Sequence, residues 1–233
     1  MFARLRAQHP EAHCELLHQS PFELLVATVL SAQATDVAVN KVTPVLFARW
    51  PDAPALAGAD PAEVERVIGS LGFFRQKTKS IVGLSRALLE RHAGQVPQSL
   101  AELIQLPGVG RKTANVVLGV AFGAPEGVVV DTHVLRLAQR LGWSRRDTPE
   151  EVEVDLMHCF GREHWDILSH TLIFHGRRVC SARKPACAAC AVSELCPSAF
   201  AAEEVGRKPP RVRTPPRKTQ ARGHGTRRGG RKA

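Results

Sequence analysis

The stretch LPGVGRKTANVVL, Leu106–Leu118, decides how this chain is read. Pro107 stiffens the approach, and Gly108 and Gly110 permit backbone angles that a Cβ hinders. Ala114, Val117, Leu118 and Ala121 then recur at helical spacing. With a helical segment at 99–105 before it, the stretch predicts two helices joined by a tight glycine turn. The bare N–H groups of such a turn, and of the next helix's first residues, make an anion site. DNA phosphate is the obvious anion, and such contacts grip the backbone without reading sequence. Gly108, Val109, Gly110, Arg111 and Thr113 are the candidate contacts. A GxG pair alone is equally a tight inter-helix turn, but here turn, cationic pair and helix start occur together.

Lys112 falls in the first turn of the second helix. The positive end of the helix dipole, with Arg111 beside it, disfavours an ammonium there. A neutral amine is a nucleophile and forms Schiff bases with masked aldehydes, of which the C1′ of a deoxyribose is one. As a cation the same lysine is a point-charge phosphate ligand, and the residues themselves leave the two roles open. Downstream, GVVVDTHVLRLAQRLG (127–142) sets Asp131 just before an amphipathic helix carrying Val134, Leu137, Ala138 and Leu141, ended by Gly142. An N-cap is the simplest role for Asp131.

The remaining signals are also helical. Ser20-Pro21-Phe22-Glu23, Asp60-Pro61-Ala62-Glu63 and Thr148-Pro149-Glu150-Glu151 each offer a capping side chain, a proline and a glutamate three residues on. Further helices are predicted near 37–49, 61–70, 75–91, 150–160 and 165–178. Val128–Val130 is too short and isolated to make a sheet. The fold class is therefore all-α.

Charge is unevenly placed. The formal net charge is +10, yet eleven of the 32 Lys/Arg and none of the 22 Asp/Glu lie in 207–233, so the body is close to neutral. That Pro-, Gly- and Arg-rich end reads as a disordered basic tail, taken to begin at 201. Its cations favour a polyanion partner. No secretory leader and no run of eighteen apolar residues occur, so a soluble cytoplasmic protein with no membrane partner is expected. Cys180, Cys187, Cys190 and Cys196 bring four thiols together in one short segment. This spacing points to a metal, and by ligand count either zinc or a 4Fe–4S cluster is allowed. Arg183 and Lys184, between the first two cysteines, would be presented rigidly to phosphate. Cys14 and Cys159 have no partner in spacing and read as buried or free thiols.

LPGVGRKTANVVL, VDTHVLRLAQRLG, LSAQATD (30–36) and the cysteine spacing together resemble the endonuclease III family of DNA glycosylases, over about residues 15–198. The resemblance implies a two-lobed fold. A six-helix barrel with the hairpin would span 16–125. A helical lobe of 1–15 plus 126–200 would hold a 4Fe–4S cluster on the four cysteines. It makes Lys112 the nucleophile and Asp131 its assistant, in a bifunctional glycosylase and abasic-site lyase excising oxidised pyrimidines. Its partner would be double-stranded DNA with a damaged base or an abasic site, and the protein would work as a monomer at the nucleoid. Gln33 resembles the residue that plugs the hole left by an extruded base, and Phe73 or Phe74 occupies the place of a second wedge. A Phe-Phe pair departs from the aliphatic–aromatic pair frequent there. His133 resembles a backbone-contacting histidine, and Ser31 a lesser contact. The competing readings are a monofunctional mismatch- or adenine-type glycosylase, a non-enzymatic hairpin module that docks on DNA, and a redox or metal protein. Monofunctional relatives usually lack a lysine at the position of Lys112, and this chain has no tyrosine to fill that slot.

Overall fold

The computed structural model describes residues 1–206. The basic segment 207–233, expected to be disordered, lies outside the described residues. The elements are α1 (Phe2–Gln8), α2 (Pro21–Leu30), α3 (Asp36–Arg49), α4 (Ala53–Ala57), α5 (Pro61–Ile68), α6 (Phe74–His92), α7 (Leu100–Leu103), α8 (Arg111–Phe122), α9 (Thr132–Arg140), α10 (Pro149–Cys159) and α11 (Trp165–Arg178). Short 3₁₀ turns follow, and the described residues contain no strand. No helix among them is long and apolar enough to cross a membrane.

The capping grammar operates as the sequence predicts. Ser20 Oγ accepts from the Glu23 N–H and Thr148 Oγ1 from the Glu151 N–H, while Asp60 accepts from Ala62. Glu23 reaches back to the N–H of Gln19 rather than of the cap itself. α4 has no counterpart among the predicted helices: five residues capped by Asp52 are too few to show a period.

Two apolar cores organise the helices. The first is built from α2 to α8 around α2, whose residues 22–30 are almost all buried. A helix that is apolar all round belongs in the centre of a globule, and α2 packs against α3, α6 and α8. The second core joins α1, α9, α10 and α11, with Val128, Val130 and Val192. Val128–Val130 runs as an irregular buried segment, its middle N–H donating to Ser169 Oγ at 3.0 Å. The packed chain runs on past 200: Ala202 is buried in a 3₁₀ turn and the Val205 carbonyl accepts from Arg140. The segment 201–206, assigned to the tail by its composition, is thus part of the folded body. α11 touches both α8 and α9, so the second core leans on the hairpin helix.

Candidate active site and metal centre

The hairpin is α7, the turn Ile104–Gly110 and α8. Its two glycines have different reasons to be glycine. Gly108 has φ +78°, and a Cβ there would lie 2.8 Å from the Cβ of Ser80. Gly110 has an ordinary φ of −97°, and a Cβ there would meet nothing within 4 Å. The expectation that both glycines serve the backbone angle is corrected accordingly. Gly110 is also the N-cap of α8 and supplies no side-chain cap, so the first N–H groups of this 12-residue helix have no side-chain acceptor. Bare donors behind open space are what a phosphate oxygen requires.

Lys112 is exposed and Asp131 half-buried. Both line one cavity of about 340 Å³ between α2, α3 and α8 on one side and α11 with the 129–131 segment on the other. Ser31, Gln33 and Thr113 line it too. Asp131 caps α9 with one oxygen only: Oδ1 accepts from the N–H groups of His133 and Val134, at 2.8 Å each. Its Oδ2 has no such duty. Arg111 turns away from this cavity. Its Nε and Nη2 donate to the two oxygens of Glu153 at 2.9 and 3.0 Å, and that pairing raises the guanidinium's pKa. Its charge is compensated by Glu153 instead of pressing on Lys112.

Gln33 sits at the cavity rim, exposed, with φ +54°, a left-handed conformation unusual for a residue with a Cβ. The structure separates the two phenylalanines. Phe74 packs against the first core, while Phe73, also left-handed, is 68% exposed at the start of α6. His133 is half-buried outside the cavity, its Nδ1 3.2 Å from Arg136 Nη2, and burial lowers its pKa. Arg177 and Arg178 are not free cations. Arg177 pairs with Glu15 and, at 3.0 Å, with Asp36; Arg178 pairs with Glu11 and lies over the Phe174 ring. Cys14 is half-buried and burial pushes its thiol up to about 11; Cys159 is exposed.

The four clustered cysteines line a second cavity, with His175 and Arg140 in its wall. Two of the four sulfurs accept from N–H groups, Arg140 Nη1 to Cys180 and Phe200 N–H to Cys187, at 3.3 Å each; Cys190 Sγ lies 3.5 Å from His175 Nε2, and the Cys196 thiol donates to the Arg140 carbonyl at 3.4 Å. Among the described residues no three His, Cys, Asp or Glu close to single-ion geometry. Arg140 is 1% exposed, and its donors go to the carbonyls of Ser181, Ala182 and Val205 besides Cys180. These bonds pin the base of the loop bearing Arg183 and Lys184, which are exposed. A buried guanidinium with no carboxylate needs a countercharge. Sequence reasoning missed Arg140, Arg136 and Glu153. On a helix such residues read as a solvated face, and their partners lie some 40 positions away in the chain.

Known proteins resemble this chain over most of its length. Residues 26–161 match the family described as HhH-GPD superfamily base excision DNA repair protein. Endonuclease III of Synechocystis sp. (strain ATCC 27184 / PCC 6803 / Kazusa) is 54% identical over 197 residues, 84% of this chain and 90% of that protein. Endonuclease III of Bacillus subtilis (strain 168) is 47% identical over 188 residues, 80% of this chain and 85% of that protein. A solved trapped endonuclease III–DNA covalent intermediate superposes with TM-score 0.80 at 45% identity, over 85% of this chain and 93% of that one.

Proposed function

The chain belongs to the endonuclease III family of HhH-GPD base excision repair proteins, and from that premise we propose that Lys112 is its nucleophile and Asp131 its assisting carboxylate. The protein is a bifunctional DNA glycosylase and abasic-site lyase, and its partner is duplex DNA. The observation that carries the assignment is that the lysine of the hairpin and the cap of α9 open into one cavity, from opposite lobes.

The substrate is an oxidised pyrimidine, flipped out of the stack into that cavity. Lys112 Nζ attacks C1′ and the bond from C1′ to the base breaks, the base leaving with the electron pair and taking up a proton. Asp131 Oδ2, free of capping duty, receives the proton lost from the amine and balances positive charge on the sugar. Ring opening gives an iminium between Lys112 and C1′, which makes the C2′ proton acidic. Loss of that proton expels the 3′ phosphate and nicks the strand; water then releases the lysine. The N–H groups behind Gly110 hold a phosphate, Gln33 fills the gap in the duplex and Phe73 wedges beside it. His133 and Ser31 are secondary contacts, and Arg183 and Lys184 grip the backbone from the pinned loop.

The cysteine cavity fits a 4Fe–4S cluster. N–H groups aimed at Cys180 and Cys187 suit thiolates, and the anion they form would answer the buried charge of Arg140. Burial pushes the thiols of Cys190 and Cys196 up, so a metal's charge is what would keep them deprotonated. Membership of the endonuclease III family favours a cluster over a single zinc. When bound, the cluster supplies a rigid anionic core to the second lobe. We assign the lobes to 16–125 and to 1–15 plus 126–206, and expect a cytoplasmic monomer acting at the nucleoid.

The test is borohydride trapping on abasic duplex DNA. Wild type should give a covalent protein–DNA adduct and nicked product, and Lys112→Gln neither. A Lys112→Gln protein that still traps and nicks at the wild-type rate would remove the assignment.

A further inference from the structure

Glu153 lies on α10, in the second lobe, and its side chain is only 9% exposed. It makes no contact with the proposed reaction cavity, yet three features of the site converge on it. Arg111 donates to both its oxygens, at 2.9 and 3.0 Å. Asn115 Nδ2 donates to Oε1 at 3.1 Å. Arg111 and Asn115 are one turn apart on α8, and Lys112 follows the first of them. The third feature is a missing side chain: a Cβ on Gly127 would lie 1.8 Å from Glu153 Oε1 and 2.7 Å from Asn115 Nδ2. The backbone at Gly127 is pressed against the carboxylate, and a side chain there would force Glu153 and Asn115 to move.

Gly127 opens the short segment that ends at Asp131. Its neighbour Glu126 accepts the N–H of Leu100 at 3.0 Å, bolting the same segment to the first helix of the hairpin. One buried carboxylate therefore holds the first turn of the helix carrying Lys112 and the root of the segment carrying Asp131. Exposed ion pairs are worth little, but this one is bidentate, largely desolvated on the carboxylate side and supplied with a third donor. Two groups that must meet at one sugar carbon come from different lobes, and Glu153 packs against the supports of both.

We propose that Glu153 is a positioning residue of the lyase and glycosylase reactions, setting the approach of the Lys112 amine to Asp131 through Arg111, Asn115 and Gly127. This rests on the assignment of Lys112 and Asp131 above. Misplacing reacting groups by about 1 Å costs roughly 100-fold in rate. Glu153 is largely buried and outside the cavity lining, so its loss should lower the chemical step and leave binding little changed.

The experiment compares wild type, Glu153→Gln, Arg111→Ala and the double variant Arg111→Ala/Glu153→Gln. Single-turnover base release and nicking are measured on a duplex with one oxidised pyrimidine. The Kd is measured on a duplex with an uncleavable tetrahydrofuran abasic site, and the Tm of each variant records folding. Glu153→Gln is near-isosteric and keeps an acceptor for Asn115, so Tm should stay close to wild type. The expected result is a 10- to 100-fold slower single turnover with a Kd within about threefold of wild type. The double variant should be no slower than the slower single variant, as for partners in one network. Three results would overturn the proposal: Glu153→Gln at the wild-type rate, a rate loss matched by an equal loss of DNA affinity or by a fall in Tm, or losses that multiply in the double variant. Wild-type adduct formation on Lys112 is scored in parallel. Its absence sinks the assignment of the nucleophile, whereas a Lys112 adduct with full-rate Glu153→Gln sinks the positioning role alone.

Discussion

In the first core, leucines and valines of α3, α6 and α8 close round α2, with a few buried polar side chains among them, Thr28, Thr43 and Ser85, and the buried Lys77. In the second, the same kind of packing along α1, α9 and α11 gives way on one side to four cysteines and two buried arginines, Arg136 and Arg140. The first lobe has what burial of apolar surface needs to stand alone. Burial lowers the pKa of Lys77 in the first lobe, whereas the guanidiniums of Arg136 and Arg140 in the second stay charged beside the cysteine loop, so the second lobe would depend on the group proposed for the cysteines. The proposed reaction needs both lobes, since Lys112 comes from one and Asp131 from the other. The proposed cluster would therefore act on the reaction by keeping α9 in place.

The largest effect expected from this contrast is on folding. Cys187→Ser should disrupt the proposed cluster and destabilise the second lobe, since binding at a site that forms only on folding adds to folding free energy. Hydrogen exchange should then speed up across α9–α11 while α2 and α6 keep their protection; equal loss in both lobes would break the comparison. Asp131→Asn comes next. Asparagine caps a helix about as well as aspartate, so Tm should hold. It cannot take a proton, so single-turnover base release should fall about 10²- to 10⁴-fold.

The hairpin was legible because its signals are local. Glycine, cation and apolar period follow one another within thirteen residues, and the cysteine spacing and the Ser-Pro, Asp-Pro and Thr-Pro caps are equally self-contained. What stayed hidden is what depends on distance along the chain. Arg111 looked like a neighbour of Lys112 because it is adjacent in sequence, but its partner Glu153 is 42 positions on. Arg140 sits on an amphipathic helix where arginine normally meets water, and only the folded chain puts it against Cys180. Phe73 and Phe74 are the same letter twice, and the left-handed turn at Phe73 decides which one is exposed. The glycines of the turn are likewise indistinguishable until one shows a positive φ and the other an open face.

Those last two distinctions give smaller effects. Phe73→Ala should weaken binding to a duplex with a tetrahydrofuran site by about 1–3 kcal/mol, the scale of one base–aromatic stack, with no change in Tm. Phe74→Ala should do the reverse, lowering stability by about 1–2 kcal/mol with the Kd little changed. Gly108→Ala should cost about 1–3 kcal/mol of stability through its φ and Ser80. Gly110→Ala should leave Tm within about 0.5 kcal/mol of wild type and weaken duplex binding about tenfold, roughly one good hydrogen bond. Denaturant titration and fluorescence anisotropy on the four proteins separate the pairs.

The central claim is that one amine, delivered by the glycine hairpin, bonds covalently to the sugar. The most direct measurement is to trap wild type on abasic duplex with borohydride, digest the adduct and locate the DNA-bearing residue by mass spectrometry. The account predicts the sugar remnant on Lys112. A remnant on the N-terminal amine or on another lysine, with Lys112 unmodified, would contradict it.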